Sequence, residues 1–205
     1  MKKLILVLTI ALFTAGYSFG QFALGVRVGY NASKLSTNLD SIKSGFNSGG
    51  HVGVWTHFGK RLYFAPELLY TFSGGVFTSE GNVAASQWKE NITVGSMEVP
   101  LLLGFKIIHT SLFTWRVEAG PEASFVINSK VKNSGTITGP ISTSDINKAN
   151  WYVLAGTGIN VLFLSLDIRY QLGLNNMIKE VQNQTFDAKN SQIIVSLGFK
   201  ILGSK

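Results

Sequence analysis

Eight segments of this chain alternate apolar residues with small or polar ones at period two, and the connections between them strictly take turns being long and short. In 22–30 the even positions are Phe22, Leu24, Val26, Val28 and Tyr30, and the odd ones are Ala23, Gly25, Arg27 and Gly29. A helix repeats its faces every ~3.6 residues and cannot use such a pattern, whereas a strand with two unlike faces requires it. The same reading predicts strands near 50–58, 62–78, 92–108, 113–129, 150–161, 163–174 and 191–201, each bounded by Gly, Asn, Ser or Asp. The connections are about 19 residues after the first strand, then 59–61, 79–91, 109–112, 130–149, one or two residues near Leu162, and 175–190. The predicted fold is all-β, an eight-stranded antiparallel up-and-down transmembrane β-barrel with both termini at the short-turn end. The 136–147 segment is rich in Ser, Thr, Gly and Asn and reads as a mobile loop.

Residues 1–21 have a basic start at Lys2 and Lys3, a ten-residue apolar run at 4–13, and small residues Ser18 and Gly20 where a signal peptidase reads. This predicts a cleaved signal peptide, with cleavage next to Gln21 and a single barrel domain over 22–205. The run is too short to span a bilayer as a helix, and no later run of eighteen apolar residues exists. With no cysteine, the chain is neither a lipid-anchored lipoprotein nor a disulfide scaffold. Losing Lys2 and Lys3 leaves 16 basic residues against 11 acidic ones, spread without a cluster, so nucleic acid is excluded as a partner.

Alternation alone does not say which face meets lipid, since a soluble lipocalin-like barrel around an apolar ligand alternates too. Three features favour the membrane. The polar face carries Arg27, Glu67, Glu98, Lys106, Arg116, Glu118, Glu122, Asp167, Arg169 and Lys200, five of each sign. That balance suits a narrow lumen filled by a structural charge network better than a soluble exterior. Aromatics such as Phe22, Tyr30, Phe58, Phe64, Tyr70, Phe72, Trp115, Trp151, Tyr170 and Phe199 recur on the apolar face toward strand ends, where lipid meets water. Strands of nine or more residues also match a tilted crossing. Pro66, Pro100 and Pro121 fall inside predicted strands, and each is expected to mark a bulge or a strand break.

The order of motifs resembles the outer-membrane β-barrel family of Bacteroidetes that includes PorT-like proteins. The residues that carry the resemblance are GVRVGYN at 25–31, APELLY at 65–70, MEVPLLL at 97–103, EAGPE at 118–122, DIRYQLGLNN at 167–176 and the closing 193–199. The resemblance spans the mature chain and implies an eight-stranded outer-membrane barrel in which the prolines belong to the pattern. It supplies no reaction, although some relatives are linked to protein secretion and gliding machinery. Many outer-membrane barrels stop at an aromatic; here 200–205 follow Phe199, a departure from the last-strand signal read by the barrel assembly machinery.

No catalytic, cofactor or metal site emerges from the residues. His51, His57 and His109 are few and dispersed for a metal. Asp167, Glu67 or Glu98 could orient His57 toward a serine, but no spacing selects such a set. Gly156 and Gly158 continue into a strand, not a helix, and read as room for interior side chains. Glu118 and Glu122 share a face like an acid–base pair, with Arg116 and Arg169 as nearer partners. Eight strands leave a lumen that side chains fill, so passive diffusion is not expected. The expected function is that of a non-enzymatic outer-membrane barrel acting through exposed loops or contacts to other envelope or secretion proteins. Outer-membrane lipid and the assembly machinery are the other expected partners. The alternatives are a PorT-like secretion component, a barrel enzyme, and the soluble lipocalin-like binder.

Overall fold

The computed structural model describes residues 21–36, 42–44, 47–79, 88–133, 147–175 and 189–203. The proposed signal segment at 1–20 and nearly all of the 136–147 loop lie outside them. The strands are β1 (Phe22–Ser36), β2 (Ile42–Ser44), β3 (Asn47–Gly59), β4 (Leu62–Ser79), β5 (Trp88–His109), β6 (Phe113–Asn133), β7 (Ala149–Val161), β8 (Leu164–Gly173) and β9 (Lys189–Gly203). Eight of them pair antiparallel with their chain neighbours, and β1 closes the ring on β9 from Ala23 opposite Gly203 to Ser36 opposite Lys189. The fold is a closed eight-stranded barrel. The extra strand β2 continues along β4 past the end of β3, with Ile42 opposite Ser79, one residue out of step with the β3 register.

Strand ends follow from the chain's local chemistry at one end of the barrel. Gly59 takes φ 126°, which a side chain would resist, and opens the turn into β4. Leu162, with φ 55°, turns β7 into β8 in two residues, as Val161 pairs with Leu164. At the other end β1 runs six residues past its predicted limit to Ser36, β5 begins four residues early at Trp88 opposite Ser79, and β6 ends four residues late at Asn133 opposite Glu90.

The side chains sort by parity. On β8, Leu164, Leu166, Ile168, Tyr170 and Leu172 point out and are exposed, while Ser165, Asp167, Arg169 and Gln171 point in and are buried. Ten residues at ~3.4 Å each, tilted by ~40°, give a height of about 25 Å, the thickness of an outer membrane's apolar band. A soluble ligand-binding barrel would have the opposite arrangement. The ten aromatics named above lie on the outward face, with Phe22 against Phe58 and Phe163 against Phe199 as ring pairs near the short turns. One outward polar pair is satisfied within the wall: Trp115 Nε1 donates to Thr157 Oγ1, which donates to the Arg116 carbonyl, both at 2.9 Å. No helix among the described residues is long and apolar enough to cross a membrane.

The proline expectation needs correcting. Pro66, Pro100 and Pro121 sit inside continuous strands with no bulge; each keeps a paired residue on one neighbour, Leu101, Glu122 and Val153 respectively. Proline's fixed φ is compatible with an extended strand, and its missing N–H removes a rung, not the register. Thr56, opposite Pro66, bonds the Pro66 carbonyl through its hydroxyl at 2.8 Å. The real register shifts lie elsewhere, between Leu24 and Gly25, Gly95 and Ser96, and Lys106 and Ile108.

Candidate functional site

All ten charged residues picked from the polar face line the lumen, but they divide into three groups by height. In the middle, three arginines and three carboxylates form one closed network. Arg27 Nη1 donates to both oxygens of Glu67 at 2.7 Å, and its Nη2 donates to Asp167 Oδ2 at 2.9 Å. Arg116 reaches Asp167 Oδ1 with both terminal nitrogens, at 2.6 and 2.5 Å. Arg169 grips Glu67 with two bonds of 2.8 and 2.7 Å and gives its Nε to Glu118 at 2.7 Å. Tyr63 completes Glu118 with a hydroxyl donated at 3.0 Å. These side chains come from β1, β4, β6 and β8, so the network ties opposite walls together.

Room for it comes from glycine. A Cβ on Gly158 would collide with Asp167 and Arg116, and one on Gly104 with the Tyr63 ring. In a lumen this narrow, an arginine on one strand needs a glycine on the next.

Toward the long-loop end lie Glu98 and Glu122, neither with a cationic partner among the described residues. Thr71 donates to Glu98 at 2.7 Å, and Gln171 donates to Glu122. Arg116 and Arg169 therefore account for Glu118 but not for Glu122. Toward the short-turn end lie Lys106 and Lys200, also without ion pairs among the described residues. Equal numbers of each sign thus do not mean complete pairing: three pairs hold the centre, two acids sit above and two lysines below.

The catalytic set weighed from the sequence does not form. His57 lies between the rings of Trp55 and Tyr63, each 4.6 Å away, and its Nε2 has no partner; Asp167 and Glu67 are engaged with arginines and Glu98 with Thr71. A different chain, invisible in the sequence because its members are far apart, runs from Asn31 Oδ1 to His51 Nδ1 at 2.6 Å and from His51 Nε2 to Ser196 Oγ at 3.0 Å. Its order is that of orienter, base and hydroxyl. All three residues are buried, however, and none of them lines the cavity at the short-turn mouth of the lumen. The chain satisfies buried polar groups. No cluster of three metal-ligating side chains occurs among the described residues.

The profile of the family described as outer membrane protein beta-barrel domain matches residues 14–179. OprG from Pseudomonas aeruginosa shares the fold with a TM-score of 0.50 at 10% identity, over 89% of this chain and 96% of that one. Ail from Yersinia pestis aligns at a TM-score of 0.47 and 11% identity, over 87% and 98%. No curated protein matches the chain in sequence. With the match covering most of its length and the lumen built as described, this chain belongs to the outer membrane protein beta-barrel domain family.

Proposed function

We propose that the protein is a non-enzymatic outer-membrane barrel whose lumen is shut by the arginine–carboxylate network and whose activity resides at its long-loop end. The observation that carries this reading is the closure itself: Arg27, Arg116, Arg169, Glu67, Glu118 and Asp167 are all at most 4% exposed and bridge the lumen from several walls. Paired extensions of β4, β5 and β6 beyond the lipid belt support it by giving the outer loops a firm base. In this reading 1–21 are removed on export, the short turns face the periplasm, and outer-membrane lipid surrounds the belt.

Purified barrel added to a planar bilayer is expected to give no steady conductance, while the Arg169→Ala, Arg27→Ala double variant gives small, flickering openings. A steady open channel in the unaltered protein would overturn the closed-lumen reading. The finer reading, a Bacteroidetes barrel acting in a PorT-like secretion or gliding assembly, is supported by the motif order at 25–31, 65–70, 97–103, 118–122 and 167–176. A deletion strain with normal surface secretion would remove it.

A further inference from the structure

At the short-turn end the lumen opens into a cavity of about 330 Å³. Lys106 and Lys200 line it, together with His57, Asn160 and Ser165, and among the described residues no carboxylate does. Both ammonium groups face the same cavity. Tyr63 stands between Lys106 and the network: the ammonium lies 5.9 Å from the ring centroid, and the hydroxyl is committed to Glu118. Neither lysine has an ion-pair partner among the described residues.

Three polar atoms of the same lining have no partner among the described residues: His57 Nε2, Asn160 Oδ1 and Ser165 Oγ. His57 and Ser165 are 7% and 5% exposed, so bulk water does not readily serve them. Buried polar atoms are rarely left this way unless something else satisfies them.

The backbone treats the two lysines alike. Each is followed by an extra residue in the ladder, Ile107 after Lys106 and Ile201 after Lys200, since Ile108 pairs with Trp115 and Leu202 with Leu24. Each lysine N–H makes the last rung of its other ladder, to the Arg61 carbonyl at 2.9 Å and the Phe163 carbonyl at 2.8 Å, so the backbone holds both residues at the mouth. Bulges of this kind re-aim side chains and recur beside binding sites. The remaining lining combines inward Trp55 and the rim residues Phe22, Phe163 and Leu164 with the polar residues His109, Thr110, Ser111 and Thr114.

We propose that this mouth is a binding site for a small organic oxyanion, a carboxylate or phosphate carried on an apolar body, held by Lys106 and Lys200. The volume corresponds to about ten waters at ~30 Å³ each, room for a small organic molecule. The proposal is independent of what the outer loops do.

The test is calorimetric titration of the refolded mature barrel in a non-ionic detergent. The probes are phenyl phosphate, benzoate, inorganic phosphate, and dihexanoyl phosphatidic acid below its micelle concentration. Saturable binding of phenyl phosphate or benzoate is expected, weakening with salt and at least tenfold in Lys106→Gln, Lys200→Gln. Binding confined to phosphatidic acid supports the same site with a lipid headgroup as the source, and binding of inorganic phosphate alone rejects the apolar body. A retained heat-dependent gel shift shows that the double variant is folded; should it fail, Asn160→Leu fills the cavity without touching a charge and should also weaken binding. No binding of any probe, or equal binding by a folded variant, would overturn the proposal.

Discussion

Replacing Arg169 by methionine is expected to lower the barrel's unfolding free energy in lipid vesicles by about 3–5 kcal/mol, the usual cost of removing one partner from a buried ion pair. Methionine keeps much of the volume, so the loss is electrostatic. Arg169 supplies two bonds to Glu67 and one to Glu118; without it, those carboxylates keep Arg27 and Arg116 respectively, the latter only at 3.8 Å. The excess negative charge cannot move to water, because neither acid is more than 4% exposed. Lys200→Met is the internal control. It removes a cation from the same lumen, but one with no ion pair among the described residues, and should change stability by well under about 1 kcal/mol. Urea titrations followed by tryptophan fluorescence distinguish the two. Equal, small losses in both variants would mean that the network fills space without holding the walls together.

The second large effect is expected on the opposite face. Ile168 lies midway along the outward row of β8, between Leu166 and Tyr170, and is 51% exposed. Arginine there should cost about 2–4 kcal/mol in a bilayer, against about 0–1 for Leu162→Arg in the short turn, where the charge reaches the interface. In a soluble barrel both changes would be close to neutral. Depth dependence, more than the size of either number, identifies lipid as the solvent of this face, and indifference to both substitutions would contradict it.

Much of this was legible from the residues because lipid outside and a narrow lumen inside force a strict period of two. Arg27, Asp167 and Arg169 could be assigned to the lumen from parity alone. Where lipid no longer enforces the alternation, the reading faltered: β5 begins at Trp88, earlier than the alternation indicated, and β2 lies within what read as a plain connection. A three-residue strand has too little period to detect. The prolines mislead for a different reason: each lost donor interrupts the ladder on one side by two residue pairs, yet the register resumes unchanged beyond the gap. Pairing within the lumen was beyond reach. Whether Glu122 meets Arg169 or Gln171 depends on stagger around the ring, and residues as far apart as Asn31, His51 and Ser196 meet only through closure of β1 on β9 and β3.

The most direct test of the central claim, a closed barrel with lipid outside and a charge-locked lumen, is migration of the refolded mature chain on an SDS gel, boiled against unboiled. A closed barrel should resist the detergent until heated, giving a faster unboiled band that shifts on boiling, at a lower temperature for Arg169→Met than for Lys200→Met. A single unshifted band, from a protein that stays soluble without detergent, would contradict it.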